Sequence, residues 1–215
     1  MSSTIAILYA GTHLVSAFLA GFLGYWALRR TEMRSKRWFG ALMIGLVLWS
    51  LTATAELIVS GQASQSAIKV LYIAAGQTVP LLWVVFAADY THRSIQTNTV
   101  VRIFVAVYLV LLIIAITNPI HELYASFTVH QTPFLHTELV TGPARVLGVV
   151  YVLISMGTGT YYLGSLFERG RSQVSSPTVI LAGVVLLGSV PFLGSLLGLL
   201  PVETYDHTPF GISVF

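Results

Sequence analysis

The chain has 215 residues, of which 55% are hydrophobic and only 9% are charged. Soluble domains carry about 25% charged residues, so this composition excludes a water-soluble globular protein and indicates one whose solvent is a lipid bilayer. The net charge of +3 does not indicate a nucleic-acid partner, because the basic residues are explained by their positions along the chain. There is no cysteine, which excludes disulfide bonds, thiol catalysis and thiolate metal sites.

Six apolar runs are each long enough to cross a bilayer, since a spanning helix needs about 20 mostly apolar residues. The first run is too long for the core of a signal peptide and follows no basic segment, so we interpret it as a spanning helix. The runs are too continuously apolar for barrel strands, which leaves helices as the structure that lipid permits. The predicted helices cover residues 5–28, 38–60, 68–91, 99–117, 144–167 and 178–200.

The final stretch, VETYDHTPFGISVF, begins a further element. Thr208 fits the N-cap position of a helix and Pro209 its first helical position. About seven residues follow the cap, or about 10 Å of helix, which is too short to cross the bilayer. We therefore expect an all-α membrane protein with six complete transmembrane helices and the start of a seventh. Residues 1–215 would form a single transmembrane domain that is incomplete at its C-terminus.

The basic residues are distributed unevenly between the two ends of these helices. Nine follow helices one, three and five, whereas only Lys69 and Arg145 lie at the opposite ends. Because basic residues concentrate on the cytoplasmic side, we predict a multi-pass protein of the cell membrane with an extracellular N-terminus. The nine residues are Arg29, Arg30, Arg34, Lys36, Arg37, Arg93, Arg102, Arg169 and Arg171.

One loop, between helices four and five, is long and patterned. LYASFTV (123–129) and FLHTELV (134–140) are two short strand candidates, and apolar and polar side chains alternate in the first. HQTP (130–133) supplies a polar turn between them. Alternation at a period of two with a short polar break predicts a β-hairpin, which in the predicted orientation is extracellular and lies over the mouth of the bundle.

Polar and titratable residues collect at the extracellular ends of the predicted helices. Charged groups within a membrane are costly and usually face the bundle interior or a watery cavity, so we expect one ligand-binding cavity under the hairpin. Alternatively, these are interfacial residues close to water, with a His13–Glu56 hydrogen bond that only holds helices together. The predicted ligand-binding residues are His13, Glu56, Asn118, His121, Glu122 and Asp206.

The ligand of this cavity is predicted only by chemical class. A histidine near carboxylates changes charge between about pH 5 and 8, so protons are one candidate and a small polar or cationic ligand is the other. The sequence contains no HExxH, GxSxG or Walker motif, so we predict that the chain is not an enzyme and carries no cofactor. A metal site would require the hairpin to bring His121, His130 and His136 together, and we do not predict one.

Five stretches, in this order, carry a resemblance to a known family: FAADYTHR (86–93), TNPIHELY (117–124), GPARVLGVVYV (142–152), YYLGSLFERGRSQ (161–173) and DHTPFGISV (206–214). Together they resemble the N-terminal seven-helix membrane module of prokaryotic sensor histidine kinases. The resemblance implies that a stimulus outside or within the membrane changes helix packing and that helix seven passes the change inward. It also implies cytoplasmic PAS or histidine kinase domains, in the same chain or in a partner, and it allows a homodimer.

Three other interpretations stay open. A retinal photoreceptor would need a Schiff-base lysine deep in helix seven, whereas Lys36 and Lys69 lie at the ends of the predicted helices. A small multi-pass transporter would show an internal repeat and helices broken near the midplane, and we find no repeat relating helices one to three with helices four to six. A fragment with only a structural role is the third interpretation.

Overall fold

The computed structural model describes residues 2–29, 35–132 and 134–168. Within them the chain forms five helices that are long and apolar enough to cross a membrane, which confirms the first five predicted helices. The sixth predicted helix (178–200), the start of the seventh and Asp206 lie outside the described residues. The helices are α1 (Ser2–Arg29), α2 (Lys36–Ile58), α3 (Gln62–Tyr90), α4 (Thr99–His121) and α5 (Pro143–Glu168).

The helices carry large apolar side chains on the outside of the bundle. Phe18 on α1, Ile113 on α4 and Tyr161 on α5 are all exposed. In water such a surface would promote aggregation, whereas lipid tails are as apolar as these side chains. Polar side chains on α1 and α2 lie inside instead, and the buried ones include His13, Ser16, Ser50 and Thr54. This inside-out distribution is the one expected of a protein in a bilayer.

α3 lies at the centre of the described helices. α1 packs against α2, and α2 packs against α3, while α3 also packs against α4 and α5. The aromatic rings of Trp83 and Phe86, both buried, lie 6.0 Å apart in the middle of the core. α5 approaches α3 closely at Gly159, where a Cβ atom would overlap the indole Nε1 of Trp83. A movement of α3 would therefore alter its contacts with three other described helices, α2, α4 and α5.

α3 begins at Gln62, before the apolar run that starts at residue 68. The additional segment, QASQSA (62–67), consists of residues with adequate helix propensity, and it extends the helix into the region covered by the hairpin. Lys69 consequently lies inside α3 and is buried. This corrects the prediction that Lys69 lies at a helix end, which was based on apolar length alone.

α4 also ends later than predicted, at His121 rather than residue 117. Pro119 lies within its last turn, where it removes one backbone hydrogen bond but does not stop the helix. The turn is closed by Glu122, whose N–H donates to the carbonyl of Asn118 at 2.7 Å. Glu122 adopts the left-handed conformation, with φ of 51°, and directs the chain into the loop.

The loop between α4 and α5 contains the hairpin that the alternating pattern predicted. β1 (Ala125–His130) pairs antiparallel with β2 (His136–Thr141), and His130 lies opposite His136. Each strand begins two residues later than predicted. The reason for the shift in β1 is that residues 122–124 are used to cap α4 and to join the hairpin to it.

The hairpin packs on the end of the bundle where α2 ends and α3 begins, and it also contacts α5. α1 reaches the hairpin through Tyr9, whose ring centroid lies 5.1 Å from that of Phe134 in the connection between the strands. The N-terminal part of α1 and the hairpin are therefore on the same side of the bundle.

Candidate functional site

Five buried polar residues meet where the hairpin packs on α2 and α3. A short turn, residues 59–61, joins these two helices, so the last turn of α2 lies beside the first turns of α3. Positions four apart on a helix share a face, so Gln65 and Lys69 can both approach Glu56. We name this group the hairpin cluster; it consists of Glu56 on α2, Gln65 and Lys69 on α3, and His136 and Thr137 on β2.

The centre of the hairpin cluster is an ion pair. Lys69 Nζ lies 2.8 Å from Oε1 and 2.9 Å from Oε2 of Glu56, and each side chain is only 1% exposed. The same ammonium group lies 4.7 Å from the ring centroid of Tyr72, within the range of a cation–π interaction. Removing one partner of such a buried pair costs about 3–5 kcal/mol, because the other charge is left uncompensated.

Thr137 connects the hairpin to this ion pair. Its backbone N–H donates to Glu56 Oε1 at 2.9 Å, and its hydroxyl donates to Gln65 Oε1 at 2.8 Å. Gln65 in turn donates through Nε2 to the backbone carbonyls of Glu56, at 2.8 Å, and Val59. One residue of β2 is thus bound to both helices, and its partners include a buried charge.

His136 lies beside Thr137 and is also buried. Its Nδ1 donates to the carbonyl of Phe134 at 2.9 Å; because a carbonyl can only accept, Nδ1 carries the hydrogen in the neutral ring. The His136 ring stacks on that of His130, with centroids 5.3 Å apart and planes inclined by 18°. His130 Nε2 lies 2.7 Å from Glu138 Oε2, and this pair is partly exposed.

The surroundings of His136 lower the pKa of its imidazole below the ordinary value of 6.5. The largest cause is burial, which penalises the charged form. The hydrogen bond to Phe134 raises the pKa, the neighbouring His130 lowers it, Glu56 raises it and Lys69 lowers it. Burial, His130 and Lys69 together outweigh the opposing contributions, so the His136 ring is neutral at pH 7.

Two of the residues predicted for the site, Glu56 and His13, are buried within the bundle. Glu56 belongs to the hairpin cluster. His13 lies on α1 four residues after Tyr9, the residue that contacts Phe134 of the hairpin. The side chains of His13 and Glu56 are therefore at the same end of the bundle.

Asn118 is buried and binds the first residues of the hairpin. Its Oδ1 accepts hydrogen bonds from the backbone N–H groups of Tyr124, at 2.8 Å, and Ala125, at 3.1 Å. Its Nδ2 donates to the carbonyl of Ala125 at 2.7 Å. The hydroxyl of Tyr124 accepts a hydrogen bond from Gln77 Nε2 at 2.8 Å, which adds a link to α3. Asn118 therefore anchors the hairpin to the end of α4.

His121 and Glu122 are exposed at the end of α4. His121 Nδ1 accepts from the N–H of Leu123 at 3.0 Å, and its Nε2 lies 2.9 Å from the hydroxyl of Thr117. These contacts are local and close the helix end. Asp206, the sixth predicted residue, lies outside the described residues.

Four members of the hairpin cluster were not predicted as site residues. Glu56 is the single acidic residue of its apolar run and Lys69 the single basic residue of the next run, so the requirement that buried charges be paired could have joined them. Gln65 and Thr137 carry no comparable signal. In the parts of the chain that are described, no group of three histidine, aspartate or glutamate residues is arranged to hold a metal ion.

The chain was compared with known protein families and with curated proteins. Residues 12–215 match the family described as the N-terminal seven-transmembrane region of histidine kinase. The search of curated proteins gave no match. The match covers all five described helices except the start of α1 and confirms the resemblance found in the sequence. The family is a membrane-embedded sensor region that precedes cytoplasmic kinase domains, and this chain belongs to it: it is an N-terminal seven-transmembrane region of a histidine kinase.

Proposed function

We propose that this chain receives an extracellular or intramembrane stimulus at the hairpin cluster and passes it through the helices, finally helix seven, to cytoplasmic kinase domains. The observation that carries the proposal is the bond between Thr137 N–H and the buried carboxylate of Glu56. It couples the position of a surface hairpin to a charge inside the membrane bundle. Membership of a sensor-region family supports a sensory role over the transporter and photoreceptor alternatives.

The hairpin cluster has the properties of a two-state element. With the hairpin docked, the Glu56 carboxylate binds Lys69 and Thr137. If the hairpin moves away, the Glu56 carboxylate loses one hydrogen-bond donor and water reaches the ion pair. The hydrated pair no longer needs to stay buried between α2 and α3, so the packing of these helices can change. A stimulus acts by binding one arrangement more tightly than the other.

The distribution of basic residues supports an extracellular position for the hairpin. Arg29 ends α1, Arg93 follows α3 and Arg102 lies near the start of α4. These are the ends opposite the hairpin, and basic residues are enriched on the cytoplasmic side. The N-terminus of α1 would then be extracellular with the hairpin.

α3 and α5 are the helices that we propose transmit the change. Lys69 lies near the hairpin end of α3, and Trp83 packs against α5 at Gly159. Just beyond the other end of α3, the guanidinium of Arg93 lies 4.4 Å from the ring centroid of Tyr162 on α5. Asn98 Nδ2 also lies 3.4 Å from the Tyr162 hydroxyl. A shift of α3 relative to α5 would thus reach the cytoplasmic end of the bundle.

The other residues predicted from the sequence keep distinct places in this proposal. His13 contributes a buried titratable group beside the hairpin end, and Asn118 holds the hairpin in position. His121 and Glu122 lie at the adjoining surface, where a ligand arriving from water would meet them. Asp206 is included from the sequence alone, and a homodimer follows only if the kinase core dimerises.

The experiment is basal autophosphorylation of the chain joined in frame to its histidine kinase core, measured as phosphate incorporated from ATP in membrane vesicles. Glu56→Gln and Lys69→Met should each change this level by at least about fivefold, the lower range of measured coupling between sites. Lys36→Met, at the opposite end of α2, is the matched control and should have no effect. Unchanged phosphorylation in both cluster variants, with normal assembly, would contradict the proposal.

A further inference from the structure

We propose that the hairpin cluster is a proton-binding site, in which uptake of a proton by His136 releases the hairpin from α2 and α3. This inference rests on the proposed function, because it names the chemical class of the stimulus at the same site. It assigns the titrating role to His136, which was not among the residues predicted for that site.

The first argument is the position of the ring. His136 is fully buried, and β2 holds it next to Thr137, the residue that binds Glu56 and Gln65. A change in the charge of His136 therefore acts directly beside the contacts that dock the hairpin. The neutral ring already donates through Nδ1 to Phe134, so Nε2 is the atom that takes up an added proton.

The second argument is the charge already present around the ring. Lys69 holds an ammonium group within the hairpin cluster, and His130 stacks directly on His136. The Glu56 carboxylate favours a charged His136 but is already bound by Lys69 and by Thr137. Charged and titratable groups lie on each element around His136. They include His130 on β1, Glu138 on β2, Glu56 on α2, Lys69 on α3, Tyr9 and His13 on α1, and Arg145 on α5, which bonds the Leu139 carbonyl.

The direction of the response follows from these surroundings. In the docked hairpin the pKa of His136 is lowered, chiefly by burial. In a released hairpin the ring is exposed to water and its pKa returns to about 6.5. The released state therefore binds the proton more tightly, so docking is fully stable above pH 6.5 and weakens as the pH falls below it. Acid on the hairpin side is the predicted stimulus.

The third argument is the close stacking of the two imidazole rings of the hairpin. His130 is partly exposed and lies 2.7 Å from the Glu138 carboxylate. Protons on both rings would place two imidazolium groups 5.3 Å apart. Their repulsion is relieved when the strands separate from the bundle and water reaches the rings.

The test is hydrogen–deuterium exchange of the backbone amides in residues 125–141, using the full chain in lipid nanodiscs. Each rate is divided by the intrinsic rate at that pH to give a protection factor. Between pH 7.5 and 5.5 the protection should fall by up to about tenfold, the limit for one histidine with an exposed pKa near 6.5. α4 serves as the internal reference and should keep its protection.

Two substitutions assign the effect to a residue. His136→Asn keeps a donor for the Phe134 carbonyl but cannot be protonated, so the fall in protection should disappear. His92→Asn is the matched control: His92 is exposed at the opposite end of the bundle with φ of 63°, a conformation that asparagine tolerates. This variant should show the same fall as the unmodified chain.

A fall that persists in His136→Asn, or no fall in the unmodified chain, would overturn the proposal. If His136→Asn leaves the hairpin unprotected even at pH 7.5, His130→Asn decides: a smaller fall than in the unmodified chain supports the proposal and an unchanged fall overturns it. If hairpin protection does not depend on pH while Glu56→Gln still alters phosphorylation, the proton-binding proposal is wrong and the proposed function stands. If hairpin protection depends on pH while Glu56→Gln leaves phosphorylation unaltered, proton binding at His136 stands and the proposed function is wrong.

Discussion

Thr137 and Glu56 are 81 residues apart in the chain, yet the backbone N–H of Thr137 donates to Glu56 Oε1 at 2.9 Å. The bond joins the buried start of β2 to the last turn of α2. Because the carboxylate is also paired with Lys69, the hairpin completes the environment of a buried ion pair. The predictions below follow from this relationship and from the packing that supports it.

Lys69→Met should destabilise the bundle by about 3–5 kcal/mol, because it leaves the Glu56 carboxylate buried without its counter-ion. The measurement is the free energy of unfolding in mixed detergent micelles. Lys36→Met should change it by no more than about 0.5 kcal/mol. Combining Lys69→Met with Glu56→Gln should restore part of the loss, and a double variant as unstable as the sum of both single variants would argue against the ion pair.

Gly159→Ala should loosen the contact between α3 and α5. A Cβ at this position would overlap the indole of Trp83, which is only 1% exposed, and overpacking of this kind costs about 1–3 kcal/mol. Gly164 lies in the same helix, and a Cβ there would meet no atom within 4 Å. Gly164→Ala is therefore the control, and equal unfolding free energies for the two variants would refute the close approach of α5 to α3.

Asn118→Ala should release the start of the hairpin from α4. The substitution removes three hydrogen bonds to the backbone of Tyr124 and Ala125 and leaves buried backbone groups unpaired, at about 1–3 kcal/mol each. Hydrogen exchange at residues 124–126 should accelerate at least tenfold, while the centre of α4 is unaffected. His121→Ala, one turn away and exposed, should leave exchange at 124–126 nearly unchanged.

The predicted orientation can be tested because the chain has no native cysteine. Gln131 in the hairpin turn and Ser94 in the α3–α4 loop are both exposed. In intact cells an impermeant thiol reagent should label Gln131→Cys but not Ser94→Cys, which should react only after permeabilisation. The opposite labelling pattern would invert the proposed topology.

The sequence predicted the helices and the hairpin because both depend on local patterns. Apolar length located α1 to α5, and alternation in LYASFTV located β1 to within two residues. The hairpin cluster was only partly predictable. A carboxylate inside an apolar run, Glu56, indicated a site, but its docking donor is a backbone N–H, and every residue except proline has one. The burial of Lys69 depended on the start of α3, which apolar length placed too late.

The central claim is that docking of the hairpin on the buried ion pair sets the output of the kinase. The most direct measurement is to record hairpin protection and basal autophosphorylation on the same membrane preparations of the kinase-linked chain. The samples are the unmodified protein, Glu56→Gln, Lys69→Met, Asn118→Ala and the control Gly164→Ala. Protection and phosphorylation should change together across the series, with Gly164→Ala matching the unmodified protein. A hairpin that loses protection in the first three variants while phosphorylation stays at the unmodified level would contradict the claim.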